Sequence, residues 1–151
     1  MKIITTLLLL FLFGCASSPR FRSSPSEKEA SAQANPPSTL NNIPEDAEVF
    51  ETVIGAASYY GHDFHGKLTS NGETYDMYGI TAAHPYYPPD TILRITNLSN
   101  NKVINVRVND HMPKHPSRII DLSFGAAKEL DMIDRGIAQI KLEVIKWGKP
   151  K

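Results

Sequence analysis

Short runs in which apolar and polar residues alternate are the feature that most limits the fold of this chain. The clearest are Thr91–Asn97, Val103–Asn109 and Ala138–Trp147, and a period of two is typical of half-buried strands. Turn signals separate the runs, and the convincing helical segment, Phe124–Met132 with Ser123 as its N-cap, is short. About six or seven strands and one helix predict an all-β domain, a small β-barrel rather than a layered α/β protein.

Two further strands and a long polar loop complete this pattern. Glu51–Ser58 predicts a strand with a bulge at Gly55, and Ile80–His84 predicts a shorter one. The loop between them, His62–Gly79, has no periodicity of its own. Because such long loops in compact domains are usually functional or disordered, and because this one carries aromatic residues, we expect it to be packed and to carry function.

The N-terminus has the composition of an export signal. Residues 1–14 contain a basic residue followed by an apolar run, Ile3–Phe13, which is shorter than the roughly 20 residues that span a bilayer. Cys15 follows directly, as in bacterial lipoprotein signals, where the new N-terminal cysteine is lipidated. An ordinary secretory signal with an incidental cysteine is the alternative. Ala16 in place of an aspartate favours sorting to the outer membrane, with the protein facing the periplasm.

The segment after the signal predicts a tether. Residues 15–48 begin with the lipidated Cys15 and continue with Ser, Pro, Asn, Gln, Glu and Lys, with little to bury. Such a composition does not offset the entropy cost of ordering, so we expect a disordered linker. The folded barrel is then predicted to occupy residues 49–148.

The charge balance and the cysteine count exclude several classes of function. Sixteen basic and sixteen acidic residues cancel, which argues against nucleic acid or an anionic membrane surface as the main partner. A single cysteine excludes an internal disulfide framework. The histidine pairs His62/His65 and His111/His115 lie in no recognisable helix, so we predict no metal site. We also expect no cofactor and a monomeric state.

Two aspartates flank a loop rich in Pro and His and form the candidate site. Asp110 ends the alternating run Val103–Asn109, and Asp121 follows the apolar pair Ile119-Ile120. Both carboxylates would therefore be carried by rigid elements, as catalytic acids require. Alternatively, Asp110 starts a turn and Asp121 caps the following helix, two roles for which Asp is well suited.

Six segments, in order and spacing, resemble the rare lipoprotein A family of bacterial lipoproteins. They are GAASYYG (55–61), FHGKLTSNGETYD (64–76), TAAH (81–84), RITNL (94–98), VRVND (106–110) and RIIDLSFGAA (118–127). The resemblance implies a six-stranded double-psi β-barrel with one short helix. It also implies a lytic transglycosylase, a lyase that cuts peptidoglycan glycan strands and leaves 1,6-anhydromuramyl ends. A more distant resemblance is to expansins and related endoglucanases, which share the barrel and an aspartate at the position of Asp121.

The resemblance also implies roles for individual residues. Asp121 is the first candidate for the acid/base, since one group can donate a proton and later remove one if its site is partly apolar. Glu73 and Asp110 would steady the developing positive charge or position the sugar. Supporting or substrate-binding roles are predicted for His84, Asp76, Asn71, Tyr59, Tyr60 and Tyr75, with the tyrosines stacking on sugar rings.

Each of these residues also has a purely structural interpretation. Glu73 could be a solvated turn residue after Asn71-Gly72, and Asp76 could cap a turn. His84 before Pro85 could be a structural histidine. The tyrosines could belong to the core.

Two departures from the family pattern keep rival functions open. The family has Arg-Gly-Pro after its Asn-Asp pair, whereas this chain has His111-Met112-Pro113, and Met lacks the backbone freedom of Gly. We also expect no C-terminal glycan-binding module, because the chain stops at Lys151. The main rival is therefore an expansin-like protein that binds peptidoglycan without cutting it, and the third is a true hydrolase.

Overall fold

The computed structural model describes residues 40 and 42–149. The predicted signal peptide, Cys15 and the linker up to residue 39 lie outside these residues. A single-turn 3-10 helix, His62–Phe64, follows the first strand. The strands and the α-helix are β1 (Glu51–Tyr60), β2 (Thr81–Ala83), β3 (Ile92–Asn97), β4 (Val103–Asp110), β5 (Ile120–Ser123), α1 (Phe124–Glu129) and β6 (Ala138–Lys146).

The six strands close into a barrel in the order β1-β5-β2-β4-β3-β6. The pairs β1/β5 and β2/β4 are parallel, and the other four pairs are antiparallel. Strands that are distant in sequence therefore lie side by side. The closed six-stranded barrel with one short α-helix confirms the predicted all-β barrel. Of the described residues, none belongs to a helix long and apolar enough to cross a membrane.

The barrel interior is filled by the apolar residues of the alternating runs. Every second residue of each strand points inward, so the opposite set faces outward and is available for a site. The inward-facing residues with no or almost no exposure include Ala57, Ala82, Leu93, Ile95, Val106, Val108, Ile120, Leu122, Ile140, Leu142 and Val144.

The helix closes one end of this core and ends earlier than the sequence predicts. Ser123 caps it by accepting a hydrogen bond from the Ala126 N–H at 3.2 Å, as expected. The predicted helix extends to Met132, but α1 ends at Glu129. Asp131 takes the left-handed conformation, with φ of 55°, which stops the helix.

Gly55 is required for close packing rather than for a bulge. Its pairing with β6 is regular from Glu51 to Ala57, so the predicted bulge at Gly55 is wrong. A Cβ at this position would lie 2.9 Å from Cγ2 of Ile119. The glycine therefore lets the segment before β5 pack against β1.

The described end of the predicted linker lies against the barrel. Leu40 is buried, and its carbonyl accepts a hydrogen bond from Asn105 Nδ2 at 3.0 Å. Arg94, which pairs with Asn105 across β3 and β4, donates to the carbonyls of Pro44 and Glu45 at 2.5 and 2.8 Å. Contacts with the barrel therefore begin before the predicted boundary at residue 49. Leu40 is buried, and the carbonyls of Pro44 and Glu45 accept hydrogen bonds from Arg94 of β3.

Candidate active site

A row of four residues on the outer face of the barrel brings the two aspartates together. Ser58 of β1 lies opposite Asp121 of β5, Asp121 lies opposite Ala83 of β2, and Ala83 lies opposite Asp110 of β4. Residues paired in this way carry their side chains on the same face of a sheet. Ala83, with its small side chain, therefore lies between the two aspartates in this row.

A bulge in β4 places Asp110 in this row. Ala82 pairs with Val108, but Ala83 pairs with Asp110, so Asn109 is the extra residue. Without this bulge, Asn109 would lie opposite Ala83, and the carboxylate of Asp110 would point elsewhere. The bulge at Asn109 thus puts Asp110, the next residue, in the row, and the alternating sequence pattern does not reveal this bulge.

Asp121 is buried and firmly held. Only 8% of its surface is exposed. Arg118 donates from Nε to Oδ1 at 2.5 Å and from a terminal nitrogen to Oδ2 at 3.1 Å, and the Ser58 hydroxyl also donates to Oδ1. The sequence predicted a partly apolar site for Asp121, whereas the structure surrounds its carboxylate with a guanidinium and a hydroxyl. Both oxygens are engaged, so the carboxylate has a fixed position.

Asp110 is less restricted. Its Oδ1 accepts from the backbone N–H groups of Ser70 and His111 at 2.7 and 2.8 Å. Within the described part of the chain, no hydrogen bond reaches Oδ2. The bond from Ser70 joins the polar loop to β4. Asp110 therefore combines a fixed orientation with one carboxylate oxygen that no described residue binds, on a side chain that is partly exposed.

Glu73 is held by four hydrogen bonds. Arg107 donates to its two carboxylate oxygens at 2.8 and 2.7 Å, and the amides of Asn71 and Asn109 donate at 3.0 and 3.2 Å. The bonds from Arg107 are the main reason that the pKa of Glu73 is lowered to about 2. Arg107 also donates to Asp90 at 2.9 Å. Glu73 is therefore ionised at any working pH and ties the loop to β4.

His84 is buried and neutral. Its Nδ1 accepts from the N–H groups of Tyr86 and Tyr87 at 3.2 and 3.1 Å, so its proton lies on Nε2. The ring stacks on Tyr87 with the centroids 3.6 Å apart. Burial, and then the neighbouring His111, lower the pKa of His84 to about 4. The backbone N–H of His84 donates to the backbone carbonyl of Asp110 at 3.2 Å, so His84 lies beside the row of four residues.

Tyr60 and Tyr75 pack on each other behind the row. Their centroids are 4.5 Å apart, and the Tyr75 hydroxyl donates to the Tyr60 carbonyl at 2.9 Å. Tyr75 is only 2% exposed, so its ring offers no open face for the predicted stacking on a sugar. Burial, and then the charges of its neighbours, raise the pKa of Tyr60. Its hydroxyl has no hydrogen-bond partner within residues 42–149.

Asp76 is placed as a turn residue. Its Oδ1 accepts from the N–H of Tyr78 at 3.0 Å, the side-chain cap that sequence reasoning kept as an alternative. His65 Nδ1 lies 3.9 Å from the same oxygen. However, this nitrogen accepts from the N–H of Met77 at 3.2 Å and carries no proton in that bond, so the contact is not an ion pair.

A cavity of about 210 Å³ adjoins the row at the end where β2 leaves the barrel. Neither Asp110 nor Asp121 lines it or either of two larger cavities, of about 630 and 520 Å³, but the smaller cavity is lined by Arg118 and His84, which bind the two aspartates. The smaller cavity is lined by Glu51, Val53, His84, Pro85, Tyr86, Tyr87, Lys114, His115, Arg118 and Ile119. Within residues 42–149, no group of three His, Cys, Asp or Glu side chains is arranged to hold a metal ion.

Sequence reasoning missed three of the polar residues that build this site. Ser58, Arg107 and Arg118 each bind a predicted acid directly. Arg118 stands three residues before Asp121, which it binds, and this spacing of opposite charges was an available signal. Arg107 binds Glu73, which is distant in sequence, so spacing gave no signal for that pair. Sequence reasoning also selected Tyr75 for stacking on a sugar, but Tyr75 is buried, whereas the exposed Tyr86 lines the cavity.

Comparison with known proteins identifies the family. The model of the family described as lytic transglycolase matches residues 52–142. A Campylobacter jejuni relative named endolytic peptidoglycan transglycosylase RlpA is 50% identical over 131 residues, which are 85% of this chain and 47% of the relative. A Pseudomonas aeruginosa protein of the same name is 46% identical over 124 residues, 80% of this chain and 36% of that protein. The chain thus spans less than half the length of these relatives.

Solved structures show the same fold at low sequence identity. The Streptomyces papain inhibitor SPI has a TM-score of 0.54 and 23% identity, and the match covers 67% of this chain and all of that chain. The expansin of Clavibacter michiganensis has a TM-score of 0.53 and 18% identity, covering 66% of this chain and 53% of that chain. With residues 52–142 matched by the family model, this chain belongs to the lytic transglycolase family, in its rare lipoprotein A group, and its folded part is a double-psi β-barrel.

Proposed function

We propose that this protein is an endolytic lytic transglycosylase that cuts peptidoglycan glycan strands between N-acetylmuramyl and N-acetylglucosamine residues. The observation that carries the proposal is the placement of Asp110 and Asp121 on either side of Ala83, in a barrel of the lytic transglycolase family. The names of the curated relatives support the same activity and substrate.

The spacing of the two acids suits glycosidic cleavage. Their strands are separated by β2, so the two backbones lie about 10 Å apart, twice the interstrand spacing. Carboxylates that reach towards each other across such a gap can address both sides of one glycosidic bond. In a transglycosylase the 6-hydroxyl of the muramyl residue attacks its own anomeric carbon and gives the 1,6-anhydro end, so no outside water is needed.

The hydrogen bonds suggest how the acids share this work. Asp110, with Oδ2 open, is the better placed group to protonate the leaving oxygen and then to accept the proton of the attacking hydroxyl. Asp121, fixed by Arg118 and Ser58, serves as the second carboxylate beside the anomeric centre. This division exchanges the roles that the sequence resemblance implies for the two residues, so both are proposed as catalytic.

The remaining polar residues orient the substrate and the loop. His84, neutral above a pH of about 4, presents an N–H at Nε2 and can donate a hydrogen bond without carrying charge. Glu73 stays ionised, and through Asn71, Asn109 and Arg107 it holds the loop over β4. Asp76 shapes the same loop through its turn.

The direct test is product analysis. The purified protein is incubated with intact and peptide-stripped peptidoglycan, and soluble products are identified by mass spectrometry. Anhydromuramyl fragments that disappear in the Asp110→Asn and Asp121→Asn variants are expected. Reducing ends instead of anhydro ends would identify a hydrolase and exclude the transglycosylase.

A non-catalytic, expansin-like peptidoglycan-binding protein is the second candidate. It is favoured by the arginine pairing of both Asp121 and Glu73, which leaves neither carboxylate open. The loop beginning with His111-Met112 beside Asp110 also departs from the family pattern. Co-sedimentation with peptidoglycan without release of soluble fragments would establish this alternative.

We further propose that the protein is a monomer anchored through lipid on Cys15 to the periplasmic face of the outer membrane. The support is the N-terminal sequence, in which Cys15 follows an apolar run that is too short to span a bilayer. A Cys15→Ser variant should move from the membrane fraction to the soluble fraction. If it remains with the membranes, the lipidation proposal is wrong.

A further inference from the structure

Tyr86 stands out because a large aromatic ring is left in solvent beside a cavity. It is 68% exposed and forms part of the wall of the cavity of about 210 Å³ described above. Its backbone is nevertheless fixed, since its N–H donates to His84 Nδ1 at 3.2 Å. The ring also makes an edge contact with His84, with the centroids 6.2 Å apart. A rigid turn thus presents an open aromatic face, the arrangement that a stacking ligand needs.

The same cavity touches the supports of both catalytic aspartates. Arg118 lines it and holds both oxygens of Asp121. His84 also lines it, and its backbone N–H donates to the carbonyl of Asp110. A group bound there would therefore contact the residues that support the two aspartates, whereas Asp110 and Asp121 themselves do not line this cavity.

The chemistry of the walls fits one neutral sugar ring. The cavity volume of about 210 Å³ is below the roughly 300–1,000 Å³ of pockets that enclose drug-sized ligands. The positive charges of Lys114 and Arg118 are balanced by Glu51 and the neighbouring Asp121, so a strongly charged ligand has no advantage. A pyranose has apolar C–H faces for an aromatic ring and hydroxyl edges for charged side chains.

We infer that Tyr86 and the Lys114–Arg118 segment form a sugar-binding subsite, adjacent to the scissile bond, in which Tyr86 stacks on one ring of the glycan strand. This inference rests on the proposed function for its substrate, and it assigns to Tyr86 the stacking role that sequence analysis gave to Tyr59, Tyr60 and Tyr75. Tyr86 contributes to binding of the strand and takes no part in proton transfer.

The experiment measures strand binding and turnover in the full-length protein. The probes are glycan strands freed of stem peptides and the corresponding tetrasaccharide. Binding is measured by calorimetry in an Asp110→Asn background, so that the strands stay intact. Tyr86→Ala removes the ring, Tyr86→Trp retains an aromatic face, and Tyr78→Ala removes an equally exposed tyrosine (64%) that does not line this cavity.

Tyr86→Ala should raise Kd and KM by about tenfold, a factor that corresponds to ~1.4 kcal/mol, with a much smaller change in kcat. Tyr86→Trp should bind as the parent does, and Tyr78→Ala should behave likewise. Because the Tyr86 ring is exposed, the thermal midpoint of Tyr86→Ala should match that of the parent.

Unchanged Kd and KM in Tyr86→Ala would overturn the subsite, as would an equal loss in Tyr78→Ala. If the parent releases no anhydro product but Tyr86→Ala selectively weakens binding, the subsite stands and the transglycosylase proposal fails. If the parent neither binds nor cuts the strands, both proposals are rejected.

Discussion

Replacing Glu73 by Gln tests whether the ionised Glu73 carboxylate stabilises the fold through its ion pair with Arg107. The substitution keeps the size of the side chain, but it leaves one acceptor oxygen, so it keeps only one of the hydrogen bonds that Asn71 and Asn109 donate to different oxygens. It removes the negative charge that Arg107 contacts at 2.7 and 2.8 Å. The expected result is a less stable protein in which the loop is held less firmly over β4.

The magnitude follows from the pKa of Glu73, which the hydrogen bonds from Arg107, above other causes, lower from 4.5 to about 2. A shift of that size corresponds to at most ~3.4 kcal/mol. The side chain is 42% exposed, however, and solvent screening reduces the stabilisation to about 1–2 kcal/mol. Because the pKa is lowered in the folded state, this stabilisation is fully present above pH 4.5. It is lost as the pH falls towards 2.

The assay is urea unfolding of the parent and of Glu73→Gln at pH 7, 5 and 3. The difference in free energy of unfolding should be about 1–2 kcal/mol at pH 7 and should shrink at pH 3. Other carboxylates titrate equally in both proteins and cancel in the difference. Glu129→Gln, at an exposed position, serves as the matched control and should show no such difference. If the difference in free energy of unfolding between the parent and Glu73→Gln stays constant between pH 7 and pH 3, the stabilisation does not come from the ionised Glu73.

Three further predictions concern other parts of the site and the fold. Asp110→Asn and Asp121→Asn should each reduce the release of anhydromuramyl products by about 10²- to 10⁴-fold while the protein still folds. Asp121→Asn should also lower the thermal midpoint, because it leaves the Arg118 guanidinium without its charged partner. Normal turnover by a folded variant would remove that residue from the chemistry. His84 should titrate with an NMR midpoint near pH 4, and stability should fall between about pH 6.5 and 4 because the unfolded chain takes up this proton first; a midpoint near 6.5 would contradict the buried neutral state. Leu40→Ala should cost about 2 kcal/mol in urea unfolding, the lower end of the range for buried leucines, whereas no change would mean that the Leu40 side chain does not stabilise the barrel.

The strands were predictable because their period is a local property. In β6 the alternating apolar residues Ala138, Ile140, Leu142 and Val144 are buried, and in β4 the structure buries Val106 and Val108 of the alternating run. The short helix was predictable from its cap at Ser123, although its end was not. Asp131 ends the helix early through a left-handed backbone conformation, which no strong turn signal in the sequence announced.

The candidate acids were predictable from position and residue type, but their partners were not. Sequence analysis singled out Asp110, Asp121 and Glu73. That Arg118 would hold one of them and Arg107 another depends on side-chain directions set by the register of β4 and by the loops. The same holds for Tyr75 and Tyr86, since composition does not reveal which ring is covered.

Where the strands are regular, the sequence by itself determined which residues face the core and which face outward, because this depends on the two-residue period of a strand. Only the tertiary structure decided which strands are neighbours. Pairing of β5 with both β1 and β2 joins segments that are far apart in the chain, and it is set by closure of the barrel as a whole. That closure, together with the bulge at Asn109, places Asp110 and Asp121 on either side of Ala83 and so creates the site.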